Sequence, residues 1–292
     1  MCPTYVVLAP TTIRNQMTAQ DDERYRVLKR NHQQLLRDWK LKKAPCIVCA
    51  QREGKDRDHL PPKVLFPKTI RTQDTEFFTF PVCKQCNNSS SDNDFLFSVL
   101  LSLRLNQESI LQNRDPTDPD LLALDQQMQM HFQDPKKGSH RIELLRPFIG
   151  TDPCTGRDAI NLDRLPVNQT LTKIVKSIYW LHTGGDILQH HHPGWWIRTD
   201  IDTSKENFIA KHLSTTHADL HWGDRFIAHY TVGHPDNGVG GMISSSLHFY
   251  TKRNIGEGMS WLVIGSPSLT SVDGRSLYEM SRLILGSPTI EP

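Results

Sequence analysis

The chain has 292 residues, of which 37% are hydrophobic and 23% are charged. This length and composition exclude a small disulfide-dependent scaffold, because such a chain can fill a core without covalent staples. The formal net charge is only +2, and no stretch approaches the roughly 20 apolar residues of a membrane span. Neither total charge nor hydropathy therefore indicates a membrane or a nucleic acid as partner.

The charge is unevenly distributed along the chain. Residues 1–68 contain 14 Lys and Arg against 7 Asp and Glu, a formal charge of +7, which leaves −5 for the rest of the chain. Five of the six cysteines lie in or just beyond this basic end. Charge alone does not establish a partner, because a solvated helix face explains a basic segment equally well.

The first predicted element is an amphipathic helix over residues 21–43, with apolar side chains three or four residues apart. Acidic residues begin it and basic residues end it, as the helix dipole favours. Residues 75–80, TEFFTF, predict a strand. A second helix is predicted from Asn87 to about Asn106.

The second half of the chain predicts an α+β domain. Polar segments with proline over 113–120 and 134–140 predict linkers on either side of a short Gln- and Met-rich helix. A further helix is predicted within 164–185, with Gly184 as its C-cap. Its apolar face comprises Val167, Leu171, Ile174, Ile178 and Leu181.

A small antiparallel sheet completes the prediction. Strands are predicted over residues 194–201, 225–233, 242–251 and 259–265, with a helix over 205–217 between the first two. The predicted organisation is an N-terminal tail and basic helix (1–43), a zinc-stabilised segment (44–115) and a C-terminal α+β domain of unknown role (116–292).

Four cysteines form two C-x2-C pairs separated by 33 residues: Cys46 with Cys49, and Cys83 with Cys86. Each pair can deliver two thiolates to one edge of a tetrahedron, so the pattern predicts a structural zinc site. A redox pair would require a thioredoxin-like βαβ context, which is absent, and the spacing is not diagnostic of an iron–sulfur cluster. The low cysteine content and the lack of a signal peptide favour a reducing cytoplasm.

The polar residues around these cysteines carry a resemblance. The chain reads CIVC at 46–49, RDHLPP at 57–62 and VCKQCNN at 82–88. This order resembles the HNH, or ββα-metal (treble-clef), endonucleases, including the zinc-stabilised Holliday-junction resolving enzymes of phages. The resemblance covers residues 44–105, and more faintly the chain looks like full-length uncharacterised bacterial HNH-like proteins.

The resemblance implies roles for three polar residues. Asp58 and Asn87 would supply oxygen ligands to one Mg²⁺ or Mn²⁺ ion, and His59 would be the general base. Asn88 stays open as an alternative ligand, and Asn87 alone is also typical of a helix N-cap. Asp92 and Asp94 either line the site from the next turn of the helix or are solvated carboxylates, and the second interpretation is favoured.

We therefore expect a cytoplasmic endonuclease that acts on nucleic acid, with DNA as the favoured substrate and a bacterial defence system or mobile element as the analogous setting. The sequence indicates no membrane partner, and it leaves a homodimer open. One alternative is a non-catalytic zinc-binding module that grips nucleic acid. Another is an interaction protein in which the zinc segment is only a scaffold.

Overall fold

The structure is a computed structural model of mixed α+β type. It describes residues 19–71, 77–111, 118–151, 156–161, 165–188, 195–199, 216–222, 225–233, 242–250 and 259–265. The predicted α+β class with small antiparallel sheets is confirmed. Within these ranges, every helix is too short or too polar to cross a membrane.

The N-terminal part consists of two helices and a two-stranded antiparallel sheet. The elements are α1 (Ala19–Lys42), β1 (Asp56–Leu60), β2 (Phe78–Val82) and α2 (Lys84–Leu111). In the register of the sheet, Asp58 lies opposite Phe80 and His59 lies opposite Thr79. Helix α2 begins two residues after the end of β2, so the two strands and the helix form a ββα arrangement.

Three more helices and a short hairpin follow: α3 (Pro119–Gln133), α4 (Gly138–Leu145), β3 (Ile149–Thr151), β4 (Asp158–Ile160) and α5 (Asn168–Thr183). The Asp118 side chain caps α3 by accepting a hydrogen bond from the Asp120 backbone N–H. Gly184 ends α5 in the left-handed conformation, with φ of 78°, which a residue without a Cβ adopts at little cost.

Five strands form the largest sheet, which is antiparallel throughout, in the order β5-β9-β8-β7-β6. The strands are β5 (Trp195–Thr199), β6 (Thr216–Trp222), β7 (Phe226–Gly233), β8 (Met242–Phe249) and β9 (Met259–Gly265). Aromatic contacts join this sheet to the N-terminal part. The Phe249 ring meets Phe97 of α2 edge-on at 5.2 Å, and Trp222 meets Phe78 of β2 at 5.7 Å.

The middle of α2 and most of α5 lie in the centre of the molecule. In α5, every residue from Thr170 to Leu181 except Thr172 is buried, and in α2 every residue from Asp94 to Ser102 is buried. Helices buried on all sides are typical of a core rather than of a surface layer. Apart from Trp39, the buried apolar residues of the described ranges form one cluster that extends from Cys46 to Tyr250.

Several predicted boundaries need correction. The second helix begins at Lys84 rather than Asn87, and it continues to Leu111 rather than ending near Asn106. Residues 216–217 lie in β6 rather than in a helix, and the remainder of the predicted helix over 205–217 lies outside the described residues. The domain boundary near residue 115 stays a prediction.

Candidate metal centre and adjoining polar site

The first cysteine pair lies in a tight turn between α1 and β1. The Cys46 backbone N–H donates to the Arg52 carbonyl at 2.7 Å, and the Ala50 N–H donates to the Cys46 carbonyl at 2.8 Å. An isolated bridge between Pro45 and Glu53 closes the base of the turn. These backbone bonds hold Cys46 and Cys49 on one side of the loop.

The second pair lies where β2 joins α2. Cys83 directly precedes the helix and Cys86 lies in its first turn. The Cys86 backbone N–H donates to the Cys83 sulfur at 3.4 Å. The end of β2 and the first turn of α2 therefore hold Cys83 and Cys86 close to the first cysteine pair.

The four sulfur atoms lie within 4.8 Å of one another. A zinc ion bound tetrahedrally by four thiolates, with Zn–S distances near 2.3 Å, places its sulfurs about 3.8 Å apart. Cys46, Cys83 and Cys86 are buried and Cys49 is partly exposed. The four cysteines could therefore hold a zinc ion in a closed site.

Charged and polar groups shift the pKa values of the thiols in different directions. Burial raises the pKa of Cys86 to about 12. Burial also opposes ionisation of Cys83, but hydrogen bonds from the Cys86 backbone and from Arg52 lower its pKa to about 6. Because a metal ligand must be a thiolate, zinc binding would release protons from this cluster.

Arg52 contacts the thiols directly. Its Nε–H donates to Cys83 Sγ at 3.1 Å, and its Nη2 lies 3.5 Å from Cys86 Sγ. The guanidinium therefore compensates thiolate charge at the second cysteine pair.

Lys176 connects α5 to the first cysteine pair. Its ammonium donates to the Val48 carbonyl, which lies between Cys46 and Cys49. Burial lowers the pKa of Lys176 to about 8, although the thiols of the cluster oppose this shift. Helix α5 is therefore packed against the candidate metal centre.

Asp58 lies on β1 with only 12% of its side chain exposed. Its Oδ1 accepts the backbone N–H of His59 at 2.7 Å. Its Oδ2 accepts a hydrogen bond from Lys173 of α5 at 2.8 Å. The predicted cation ligand is therefore already paired with an ammonium group, which the sequence did not indicate.

The Asn87 backbone and the Asp58 carboxylate both contact the Ser90 hydroxyl. The Ser90 hydroxyl lies 3.0 Å from the Asn87 backbone oxygen and 3.4 Å from Asp58 Oδ2. The Asn87 backbone N–H bonds to the Cys83 carbonyl at 2.9 Å, so Asn87 lies inside the first turn of α2 and is not the N-cap. Asn88 is exposed.

The half-buried ring of His59 stands edge-on to Phe77, with the ring centroids 6.3 Å apart. Burial lowers the pKa of His59, and the positive charges of Lys63, Arg71 and Lys173 lower it further, while Asp58 opposes them. The imidazole is consequently neutral at neutral pH, so that one ring nitrogen can accept a proton.

A cationic and aromatic cluster borders His59. The Lys63 ammonium and the Arg71 guanidinium lie 5.7 and 5.6 Å from the centre of the Phe77 ring. Arg71 is fixed in place because its guanidinium donates to the carbonyls of Phe66, at 2.8 Å, and Lys63, at 2.6 Å. Two cations thus lie beside a partly exposed aromatic ring and the candidate base.

The interpretation of Asp94 as a solvated carboxylate is wrong. Its side chain is 8% exposed and accepts hydrogen bonds from Lys173 and from the Thr170 hydroxyl, the latter at 2.9 Å. Asp92, by contrast, is partly exposed and lies 3.2 Å from the ring of His140. Asp94 was misread because helical spacing does not reveal a partner 79 residues away in the chain.

The chemical types of the oxygen donors at this site suit a divalent cation. A carboxylate and an amide oxygen are hard ligands of the type that Mg²⁺ and Mn²⁺ prefer, and the Ser90 hydroxyl links the Asp58 carboxylate to the backbone oxygen of Asn87. The fit is incomplete in one respect, because the Lys173 ammonium already lies on Asp58 Oδ2.

Comparisons with protein-family models, with curated proteins and with solved structures gave no match to this chain.

Proposed function

We propose that this chain is a metal-dependent endonuclease of the HNH type that hydrolyses phosphodiester bonds of nucleic acid, with DNA as the favoured substrate. One observation carries the proposal: a half-buried histidine, adjacent to Asp58 and bordered by cationic side chains, lies on the strand that follows the first cysteine pair. A general base beside positive charge can promote hydrolysis of a negatively charged ester.

In this proposal His59 is the general base. Its neutral imidazole accepts a proton from the attacking water, because burial and the cations nearby lower its pKa and keep it unprotonated before the reaction. A positioned general base typically accelerates hydrolysis by about 10²- to 10⁴-fold. Loss of the His59 ring should therefore remove most of the activity without disturbing the cysteine cluster.

Lys63 and Arg71 would contact the phosphate backbone. Both lie next to the partly exposed Phe77 ring, which also contacts His59 edge-on. Their charge favours the phosphate, and phosphate contacts carry no sequence information directly. This arrangement predicts little base specificity from Lys63 and Arg71.

Asp58 and Asn87 would hold the divalent cation. When bound, such a cation neutralises charge that develops on the phosphate and on the departing 3′ oxygen. The chain's own contribution is to fix the ligands: the His59 backbone N–H orients Asp58 Oδ1, and the first turn of α2 fixes Asn87.

The test is cleavage of end-labelled duplex and branched DNA by zinc-loaded protein in Mg²⁺ or Mn²⁺. The native protein should leave 5′-phosphate and 3′-hydroxyl ends, because water attack expels the 3′ oxygen. Asp58→Asn should lower the rate by about 100-fold or more, whereas Asp56→Asn, on the same strand, should leave it unchanged. Equal rates for the native and Asp58→Asn proteins would refute the proposal.

A second candidate is a non-catalytic zinc-binding protein that grips nucleic acid. It is favoured by the basic face of α1, where Arg26, Lys29, Arg30 and Gln33 line a shallow surface concavity. Such a protein would bind DNA in a salt-sensitive manner, and its affinity would be the same with and without the His59 ring.

A further inference from the structure

Lys173 is the most deeply buried charged group at the candidate site. Its side chain is 2% exposed, and its ammonium donates to Asp58 Oδ2 at 2.8 Å and to Asp94 Oδ2. A buried ammonium is tolerated only when it is paired, and two carboxylates provide that pairing here. Lys173 therefore places a positive charge beside the predicted ligand of a divalent cation.

Both oxygens of Asp58 are already engaged. Oδ1 accepts the His59 backbone N–H, while Oδ2 accepts from Lys173 and lies near the Ser90 hydroxyl. Oδ1 keeps a second lone pair that a divalent cation could use, but a cation bound there would repel the ammonium on the other oxygen of the same carboxylate. The ammonium and the cation therefore compete for one carboxylate.

Asp94 offers the ammonium an alternative position. It is held by Thr170 on its other oxygen and already shares Lys173 with Asp58. Asp58, Asp94 and Lys173 together have a formal charge of −1, so they still attract a cation. The competition should therefore weaken cation binding without preventing it.

We propose that Lys173 is the built-in competitor of the divalent cation at Asp58, and that the cation binds Asp58 only when the ammonium is transferred to Asp94 alone. Helix α5 then sets the cation affinity of a site whose ligands lie on β1 and α2. This inference rests on the proposed cation ligand role of Asp58.

The test is Mn²⁺ affinity, measured by calorimetry on the zinc-loaded full chain. Lys173→Met should bind Mn²⁺ about tenfold more tightly than the native protein. Asp94→Asn should bind it about tenfold more weakly, because Lys173 would then pair with Asp58 alone. Asp58→Asn should abolish this site and serves as the reference.

A charge-matched variant distinguishes the effect of competition on Mn²⁺ affinity from the effects of a changed net charge and of misfolding. Lys173→Met combined with Asp94→Asn keeps the formal charge of −1 and removes both members of the buried ion pair at once. If competition is correct, this double variant also binds Mn²⁺ about tenfold more tightly than the native protein. A purely structural role for Lys173 predicts unchanged or weaker binding.

Unchanged or weaker Mn²⁺ binding by the double variant, with native far-UV circular dichroism and zinc content, would overturn the inference. So would the absence of Mn²⁺ binding in all proteins. DNA cleavage, assayed in parallel, separates the two proposals. If the native protein cleaves DNA but the Lys173 and Asp94 variants bind Mn²⁺ with native affinity, only the proposed competition is refuted. If the variants bind Mn²⁺ with the expected changes in affinity but no protein cleaves DNA, only the proposed nuclease activity is refuted.

Discussion

At the residue scale, Arg52 is the side chain that most directly supports the cysteine cluster. It donates to Cys83 and lies within reach of Cys86. Arg52→Ala should lower zinc affinity by about tenfold, because groups that hydrogen-bond metal ligands typically contribute that much. The measurement is a chelator competition that follows zinc release with a colorimetric dye.

Lys55→Ala is the matched control for this prediction. Lys55 is an exposed cation on the same loop, and its ammonium lies 3.4 Å from Glu53 rather than near a sulfur. Its replacement should leave zinc release unchanged. Equal zinc affinity in the Arg52→Ala and Lys55→Ala proteins would show that the N–H···S contacts contribute nothing.

The sequence identified the residues that belong to short motifs and missed those that reach the site from a distance. The four cysteines were identified by spacing, and their sulfurs do lie together. Lys173 could not be found in this way, because Asp58 is 115 residues away in the chain and an isolated lysine within an apolar helix indicates no partner. The roles of His59, Asp58 and Asn87 stay predictions.

At the element scale, the pairing of β1 with β2 depends on a close approach at Gly54. A Cβ there would lie 2.8 Å from Pro81 Cβ and 3.1 Å from the Pro81 carbonyl carbon, which belongs to the backbone. Gly54→Ala should therefore destabilise the protein by about 1–3 kcal/mol through overpacking. Urea unfolding followed by circular dichroism would measure this change.

Gly150→Ala provides the comparison, because a Cβ at that position meets nothing within 4 Å. It should be neutral or stabilise by up to about 1 kcal/mol, since alanine restricts the unfolded chain. If Gly54→Ala were as stable as Gly150→Ala, the close packing of the loop against β2 would be refuted.

The periodicity of apolar residues in the sequence predicted α5 and most strands of the large sheet, but β6 was not predicted. The residues of α5 and its glycine cap were predicted because the apolar face repeats regularly and Gly184 adopts positive φ. Strands β7, β8 and β9 were also predicted. Strand β6 was missed because its first residues were assigned to a helix, although Ala218, Leu220 and Trp222 alternate with polar residues as a strand requires.

At the scale of the whole molecule, the segment that carries the four clustered cysteines and α5 share one core. Lys176 reaches the first cysteine pair, Lys173 reaches β1, and the buried apolar cluster is continuous from Cys46 to Tyr250. Removal of zinc, or Cys83→Ser, should therefore destabilise α5 as well as the two strands, because zinc binding contributes directly to folding.

Hydrogen exchange measured by mass spectrometry tests this prediction. Amide protection should fall in peptides that cover Asp56–Val82 and in peptides that cover Asn168–Thr183. If α5 and β7 kept full protection while β1 and β2 lost it, the chain would instead consist of two independent units, in agreement with the boundary predicted near residue 115.

In the proposed function, His59 is the general base of phosphodiester hydrolysis. The most direct measurement is the nicking rate of supercoiled plasmid by zinc-loaded protein in Mn²⁺, for the native chain and for His59→Ala prepared in parallel with equal zinc content. We predict nicking or linearisation by the native protein and a loss of about 100-fold or more in the variant. Equal nicking by both proteins, or no nicking by either, would contradict the account.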